Sequence, residues 1–269
     1  MTLYKYSKYL CIAVAGLMST MPIMAAPDYA REARWAEEVI PGLITGEPVY
    51  LTQKNQHQFL GLYSARQDAQ MGIVIAHGMG LHPDWGIIGA LRQQLFDAGY
   101  ATFSIQMPVL AADAVYTAYP AVFPEAAERL QLAVAYLKQQ GFKHIAIVSH
   151  SNGSRMTRVY MRTNPPDVIA WAAISLTQGD TFDGIQVPIL DLYGENDLAH
   201  VLASVKQRKT SLQNPASQQK SIAEAGHFFV DHEDAMINVV KEFLDRRLIE
   251  ELNRKYVGKM APLYCSSWE

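Results

Sequence analysis

A serine between small residues is the strongest chemical signal in the sequence. The pentapeptide Ser149-His150-Ser151-Asn152-Gly153 directly follows a β-branched run at 145–148. At a sharp turn from a strand into a helix, the middle serine takes a strained backbone conformation that exposes its hydroxyl, and small residues two positions away let strand and helix approach. An activated hydroxyl of this kind is a nucleophile for acyl transfer. The simpler alternative is that one of these serines only caps the helix beginning at Asn152.

The pentapeptide resembles the nucleophile elbow of the α/β-hydrolases, whose usual pattern is G-x-S-x-G. Gly153 fits that pattern, whereas Ser149 stands where glycine is usual, although serine is also small. The resemblance implies an α/β-hydrolase fold and a triad in the chain order serine, acid, histidine. In that fold the acid follows a late strand and the histidine lies in a loop before the last helix. Both partners of Ser151 should therefore lie downstream of it.

Two downstream residues meet these requirements. The apolar run from Pro188 breaks at Gly194 and is followed by Asp197, which we expect to orient the base. His227 precedes the final helical pattern, and we expect it to accept the proton of Ser151. The alternatives are Glu195 for the acid and His200 or His232 for the base.

An earlier glycine-containing loop completes such a site. His77-Gly78-Met79-Gly80 ends a predicted strand and is similar to the H-G-x-G oxyanion loop of lipases and esterases. This resemblance implies that the backbone N–H groups of Met79 and Asn152 stabilise the oxyanion. A plain glycine turn between strand and helix explains the same residues without catalysis. The residues that we expect to contact substrate are His77, Trp85, Met107, Tyr116 and Tyr119.

The resemblance to the α/β-hydrolase superfamily extends over residues 48–250. More narrowly, the run H-G-x-G-x-H-P-D-W, together with Gln106-Met107-Pro108 downstream, is similar to a family of bacterial exported hydrolase-like proteins. That family is described as a domain of unknown function. The closer resemblance implies a fold and a triad, but it implies no substrate.

These residues need a framework of strands and helices to hold them together. Short β-branched runs alternate with longer patterns of helical period, which predicts a mostly parallel sheet with helices on both faces. The predicted strands cover 71–77, 101–106, 144–149, 167–175 and 188–193, with one more ending at 221; the predicted helices begin near Trp85, Pro124, Asn152 and Asp234. The connection 176–187 is too short for a large cap domain.

Composition and charge exclude several classes of function. The chain has 269 residues, of which 49% are hydrophobic and 18% charged, so it can bury a sizeable core. The formal net charge is −3, and without a basic surplus we expect no nucleic-acid partner. Pro83 interrupts any G-x-G-x-x-G pattern, and neither a Walker sequence nor H-E-x-x-H occurs. We therefore expect no cofactor and no metal.

The N-terminus has the layout of a secretory signal peptide. Lys5 and Lys8 precede an apolar run at 9–18, and two alanines precede Pro27. That run is about ten residues long, whereas spanning a bilayer takes roughly 20, so we expect no membrane span in the mature chain. The predicted segments are a signal peptide at 1–26, one α/β-hydrolase domain at 27–255 and a tail at 256–269. We expect export to the periplasm or secretion.

The sequence therefore predicts a serine hydrolase that acts on small-molecule carboxylic esters. Ser151 attacks the acyl carbon, His227 transfers the proton, Asp197 orients the imidazole, and water releases the acyl-enzyme. A non-catalytic binding or assembly protein on the same fold is the main alternative, since a fold does not imply a function. Peptidase or thioesterase activity would use the same residues. The oligomeric state stays open.

Overall fold

The computed structural model describes residues 26–177 and 179–260, with side chains as far as residue 254. The predicted signal peptide, apart from its last residue, lies outside the described residues, as do residues 261–269 of the predicted tail. Within the described part, eight strands form one sheet. They are β1 (Glu47–Thr52), β2 (Gln58–Ser64), β3 (Gly72–Ala76), β4 (Ala101–Ile105), β5 (Ile145–His150), β6 (Val168–Ile174), β7 (Ile189–Gly194) and β8 (Gln218–Ile222).

Helices connect most of these strands. They are α1 (Tyr29–Val39), α2 (Gly86–Asp97), α3 (Phe123–Gln139), α4 (Asn152–Met161), α5 (Ala199–Leu202), α6 (Val205–Ser211) and α7 (Glu233–Met260), with 3₁₀ turns at Ile40–Gly42 and Tyr116–Val122. The four predicted helices correspond to α2, α3, α4 and α7. Helix α7 is longer than expected and continues into the predicted tail. No helix in the described part of the chain is both long and apolar enough to cross a membrane.

The order of strands in the sheet is β1-β2-β4-β3-β5-β6-β7-β8. β3 to β8 run parallel to one another, because a helix crosses over between most successive strands, whereas β2 pairs antiparallel with both β1 and β4. The predicted parallel sheet is confirmed. In its described residues, the connection between β6 and β7 contains no helix, so no cap domain is inserted there.

The sheet is buried on both faces, which explains why its central strands are apolar without alternation. Val74 of β3 packs in the cluster that α3 and α4 cover, and its neighbours Ile73 and Ile75 pack in the cluster that α2 and α7 cover. Parallel strands also end at one common edge of a sheet. The residues after β5, β7 and β8 are therefore brought together there.

Helix α1 is held to the rest of the protein by a buried ionic network. Nη1 of Arg129 lies 3.0 Å from Oε2 of Glu32, and it also donates to the carbonyl oxygen of Gln106 at 3.0 Å. Nη2 of Arg129 lies 2.6 Å from Oε1 of Glu125. Burial raises the pKa of Glu32, and the guanidinium of Arg129 opposes that rise. The network links α1 and α3 to the chain that leaves β4.

Candidate active site

The turn between β5 and α4 places Ser151 in a strained conformation. Its φ is 54° and its ψ is −126°, a combination that L-residues rarely adopt. The backbone N–H of Ser151 donates to the carbonyl of Ile174 at 2.8 Å, and its side chain makes no capping hydrogen bond to α4. The local geometry is that of a nucleophile elbow. The helix-cap alternative for this serine does not agree with it.

Ser149 has a partner that explains its departure from the usual glycine. The indole N–H of Trp171 donates to Oγ of Ser149 at 2.8 Å, and Oγ of Ser154 lies 3.0 Å from the same oxygen. Ser154 in turn donates to the carbonyl of Ile174 at 3.1 Å. All three side chains are fully buried. The hydroxyl of Ser149 therefore satisfies a polar group in the core behind the elbow.

The structure brings Ser151, His227 and Asp197 into one hydrogen-bonded row. Nε2 of His227 lies 2.9 Å from Oγ of Ser151, and Nδ1 of His227 lies 2.6 Å from Oδ1 of Asp197. A carboxylate can only accept, so Nδ1 carries the proton and Nε2 is free to accept one from the serine. This is the geometry required of a nucleophile, a base and an orienting acid.

Further donors hold Asp197 in its ionised form. Oδ2 accepts from the hydroxyl of Ser175 at 2.5 Å, and Oδ1 accepts from the backbone N–H of Leu198 at 2.7 Å. Burial would raise the pKa of Asp197, but the hydrogen bonds from His227, Ser175 and Leu198 outweigh it and hold the pKa below its ordinary value. The alternative acid Glu195 is exposed to solvent.

The H-G-x-G loop packs directly against the elbow. A Cβ atom on Gly78 would lie 3.2 Å from Cβ of Ser151, which is tighter than most Cβ contacts, so the two segments approach closely here. Met79 lines the same cavity as Ser151. Asn152 is the first residue of α4, so its backbone N–H has no acceptor within the helix. The two expected oxyanion donors thus belong to segments that flank Ser151.

Three of the residues expected to contact substrate are instead part of the interior. His77, Met107 and Tyr119 are buried, and none of them lines the cavity beside Ser151. His77 links the oxyanion loop to the end of β4, because its Nδ1 bonds the carbonyl of Gly78 at 2.8 Å and its Nε2 accepts the N–H of Met107 at 2.9 Å. Burial lowers the pKa of His77 to about 3, which keeps the ring neutral. The structure thus places these three side chains away from the cavity beside Ser151.

Tyr116 and Trp85 lie closer to the opening. Tyr116 lines the cavity, and its hydroxyl is hydrogen-bonded to Oγ1 of Thr177. Trp85 does not line the cavity but packs edge-on against Phe228 with ring centroids 5.1 Å apart. Trp85 therefore packs behind a residue that lines the cavity.

A cavity of about 260 Å³ opens beside Ser151. Sequence reasoning missed several of its apolar side chains, although Leu198 and Phe228 directly follow the acid and the base. Met79, Leu198 and Phe228 are 40%, 44% and 41% exposed, an unusual state for large apolar residues. The described residues that line the cavity are Gly78, Met79, Leu81, Tyr116, His150, Ser151, Leu198, His200, His227 and Phe228, none of them Lys, Arg, Asp or Glu.

Solved structures of other proteins share this fold. Est1E from Butyrivibrio proteoclasticus has a TM-score of 0.59 at 14% identity, over 75% of this chain and 99% of its own. A dienelactone hydrolase from Anabaena variabilis has a TM-score of 0.59 at 18% identity, over 74% and 98%. A serine hydrolase without lid from Xanthomonas campestris reaches 0.62 at 12% identity, over 76% and 95%. The protein thus has an α/β-hydrolase fold.

A family model described as "Protein of unknown function (DUF3530)" matches residues 25–128. This match confirms the resemblance to a family described only as a domain of unknown function. The matched segment contains the oxyanion loop at Met79 but ends before the elbow at Ser151. No curated protein sequence matches the chain.

Proposed function

We propose that the protein is a serine hydrolase of carboxylic esters. The observation that carries this proposal is the hydrogen-bonded row of Ser151, His227 and Asp197 at an apolar cavity. A buried, ionised carboxylate behind a neutral imidazole stabilises the imidazolium that forms when the serine loses its proton. The strained elbow holds the hydroxyl in place for attack.

The reaction has two halves that use the same groups. Oγ of Ser151 bonds to the acyl carbon while Nε2 of His227 takes its proton, and the backbone N–H groups of Met79 and Asn152 stabilise the oxyanion. The C–O bond to the alcohol then breaks, and His227 returns the proton to the departing oxygen. In the second half, water loses a proton to Nε2 of His227 and attacks the acyl carbon. The bond from the acyl carbon to Oγ of Ser151 then breaks, and His227 returns the proton to Oγ, which releases the acid and restores the serine.

The cavity favours small, uncharged acyl groups. Its volume of about 260 Å³ lies below the range of about 300–1,000 Å³ that is typical of sites for drug-sized ligands. Without a charged Lys or Arg among its described lining residues, the cavity has no group to pair with an anionic substrate. The exposed Met79, Leu198 and Phe228 offer an apolar surface to the part of the substrate outside it.

A fluorophosphonate probe and 4-nitrophenyl acetate test this function together. We expect the wild-type protein to be labelled and to hydrolyse the ester, and Ser151→Ala to lose both. His227→Ala should cost about as much as Ser151→Ala, roughly 10³-fold or more in kcat, and Asp197→Ala less, because triad members act as a unit. Circular dichroism and thermal unfolding check that the variants fold. A wild-type protein inert to both reagents would favour a non-catalytic binding protein.

We also propose that the activity is located outside the cytoplasm. The support is the order of basic, apolar and small residues within 1–26. Cell fractionation followed by mass measurement of the recovered chain tests this point. A full-length chain in the cytoplasm would contradict it.

A further inference from the structure

His150 connects the nucleophile to the loop that carries the base. It directly precedes Ser151 and is fully buried, with its ring centroid 4.8 Å from that of His227. Nε2 of His150 lies 2.9 Å from the backbone carbonyl oxygen of His227. One residue therefore joins Ser151 by a peptide bond and His227 by a hydrogen bond.

The tautomer of His150 follows from this contact. A carbonyl oxygen only accepts, so Nε2 of His150 carries the proton and Nδ1 is the unprotonated nitrogen. Nδ1 is buried and has no hydrogen-bond partner among the described residues. Burial lowers the pKa of His150 to about 3, so the ring stays neutral.

An unpartnered buried nitrogen weakens the fold, because it has given up its hydrogen bonds to water without gaining one inside the protein. An apolar side chain of similar size would fill the same space without that cost. His150 donates a hydrogen bond to the carbonyl of His227, which an apolar residue cannot do. The histidine at this position is thus better explained by the site than by packing.

The loop around His227 needs such an anchor. Its backbone takes positive φ angles at Glu224, Phe229 and Asp231, conformations that L-residues favour little. Asp197 holds the imidazole of His227 through Nδ1, from the loop after β7. His150 holds the backbone of His227 through its carbonyl, from the end of β5. The first contact fixes the imidazole of His227 and the second fixes its backbone. With both fixed, the ring keeps its distance to Ser151.

We propose that His150 is a positioning residue that fixes the base His227 relative to the nucleophile Ser151. It acts through the hydrogen bond from its Nε2 to the carbonyl of His227 and does not touch the reacting atoms. This inference rests on the proposed hydrolase function. The substitution of this histidine should therefore lower kcat and the rate of serine labelling, with little effect on KM.

Two substitutions separate the hydrogen bond from the packing of the ring. His150→Phe keeps a ring but removes the donor, whereas His150→Gln loses the ring but places an amide N–H near the position of Nε2. We expect His150→Phe to lower kcat for 4-nitrophenyl acetate by about 10- to 100-fold, the range that a displacement of about 1 Å can produce, with KM within about threefold. His150→Gln should recover much of that loss. The thermal midpoint of His150→Phe should change little, because the variant loses the unpartnered Nδ1 but also leaves the carbonyl oxygen of His227 without its donor.

The outcomes distinguish this inference from the function it rests on. Equal kcat in wild type and His150→Phe would overturn the positioning role while leaving the hydrolase intact. A fall in thermal midpoint that parallels activity in both variants would show a role in packing alone. If the wild type is inert, proton NMR still decides: the low-field resonance of the Nδ1 proton between His227 and Asp197 should broaden or vanish in His150→Phe, and an unchanged resonance would refute the inference.

Discussion

A Cβ atom on Gly153 would lie 2.3 Å from the carbonyl oxygen of His77. Real Cβ atoms do not approach a backbone oxygen so closely, so α4 lies against the end of β3 only because residue 153 has no side chain. This contact sets the distance between the elbow and the oxyanion loop. The position of Ser151 relative to the loop 77–80 therefore depends on this close approach of Gly153 to His77.

Gly153→Ala should therefore impair both stability and activity. Forcing α4 away from β3 costs about 1–3 kcal/mol of unfolding free energy, as for other overpacked sites, and moves Ser151 away from the H-G-x-G loop. Gly42→Ala is the matched control, because a Cβ there meets nothing within 4 Å. Urea unfolding and fluorophosphonate labelling measure the two effects. A Gly153→Ala protein as stable and reactive as Gly42→Ala would contradict the close approach.

Restoring the usual elbow glycine should weaken the protein. Ser149→Gly completes the G-x-S-x-G pattern but leaves the buried indole N–H of Trp171 without its acceptor. The unsatisfied donor should lower the unfolding free energy by about 1–3 kcal/mol, with most activity retained at a temperature where the variant is folded. Ser149→Ala removes the same acceptor, so we expect a similar loss of unfolding free energy and similar retained activity. Increased stability in Ser149→Gly would show that the hydroxyl has no structural role.

Acid should destabilise the protein through its buried neutral histidines. The pKa of His150 is about 3 in the folded protein, against 6.5 for an ordinary histidine. Between these values the unfolded chain binds a proton that the folded chain does not, so unfolding free energy falls as pH drops below 6.5. The limiting slope is about 1.4 kcal/mol per pH unit for each such group.

His150→Phe isolates this contribution. We expect urea titrations between pH 7.5 and 4.5 to show a smaller fall in its unfolding free energy than in that of wild type. The difference in slope should correspond to the uptake of about one proton fewer on unfolding. The lowered pKa of Asp197 also makes the unfolding free energy fall in acid, at lower pH, whereas the raised pKa of Glu32 makes it rise. Both residues are present in wild type and variant, so their effects cancel in the comparison. Parallel curves would mean that His150 is accessible to protons in the folded state.

Short acyl chains should be hydrolysed at least as well as long ones. A cavity of about 260 Å³ and no inserted cap leave little apolar surface for further methylenes, each of which contributes about 0.8 kcal/mol when buried. A series of 4-nitrophenyl esters from two to twelve carbons tests this through kcat/KM. Leu81→Ala enlarges the cavity and should shift the preference to longer chains. A steady rise with chain length in wild type would reveal a deeper acyl site.

The sequence was sufficient for the framework of the site. The β-branched runs and helical periods predicted the parallel strands, and parallel strands end at a common edge. The resemblance to the α/β-hydrolases then supplied the chain order by which Asp197 and His227 were chosen as partners of Ser151. The sequence did not predict the hydrogen bonds between these residues, because they depend on loop conformations such as the positive φ of Ser151.

The direction of side chains near the loops was not predictable. His77 opens the H-G-x-G loop and Met107 follows β4, but both side chains are buried, and the imidazole of His77 accepts the backbone N–H of Met107. The N-terminal part escaped prediction for a different reason. β1 is largely exposed and has little apolar periodicity, so its pairing with β2 depends on contacts that the local sequence does not reveal.

The ion pair between Glu32 and Arg129 spans 97 residues of the chain. A ribosome therefore completes α1 long before it makes the arginine that neutralises the buried carboxylate of that helix. Contacts of such long separation form slowly, because the intervening chain must first be ordered. We therefore expect α1 to dock onto the rest of the protein only after α3 has been made, since burying Glu32 earlier would leave its carboxylate without the guanidinium of Arg129.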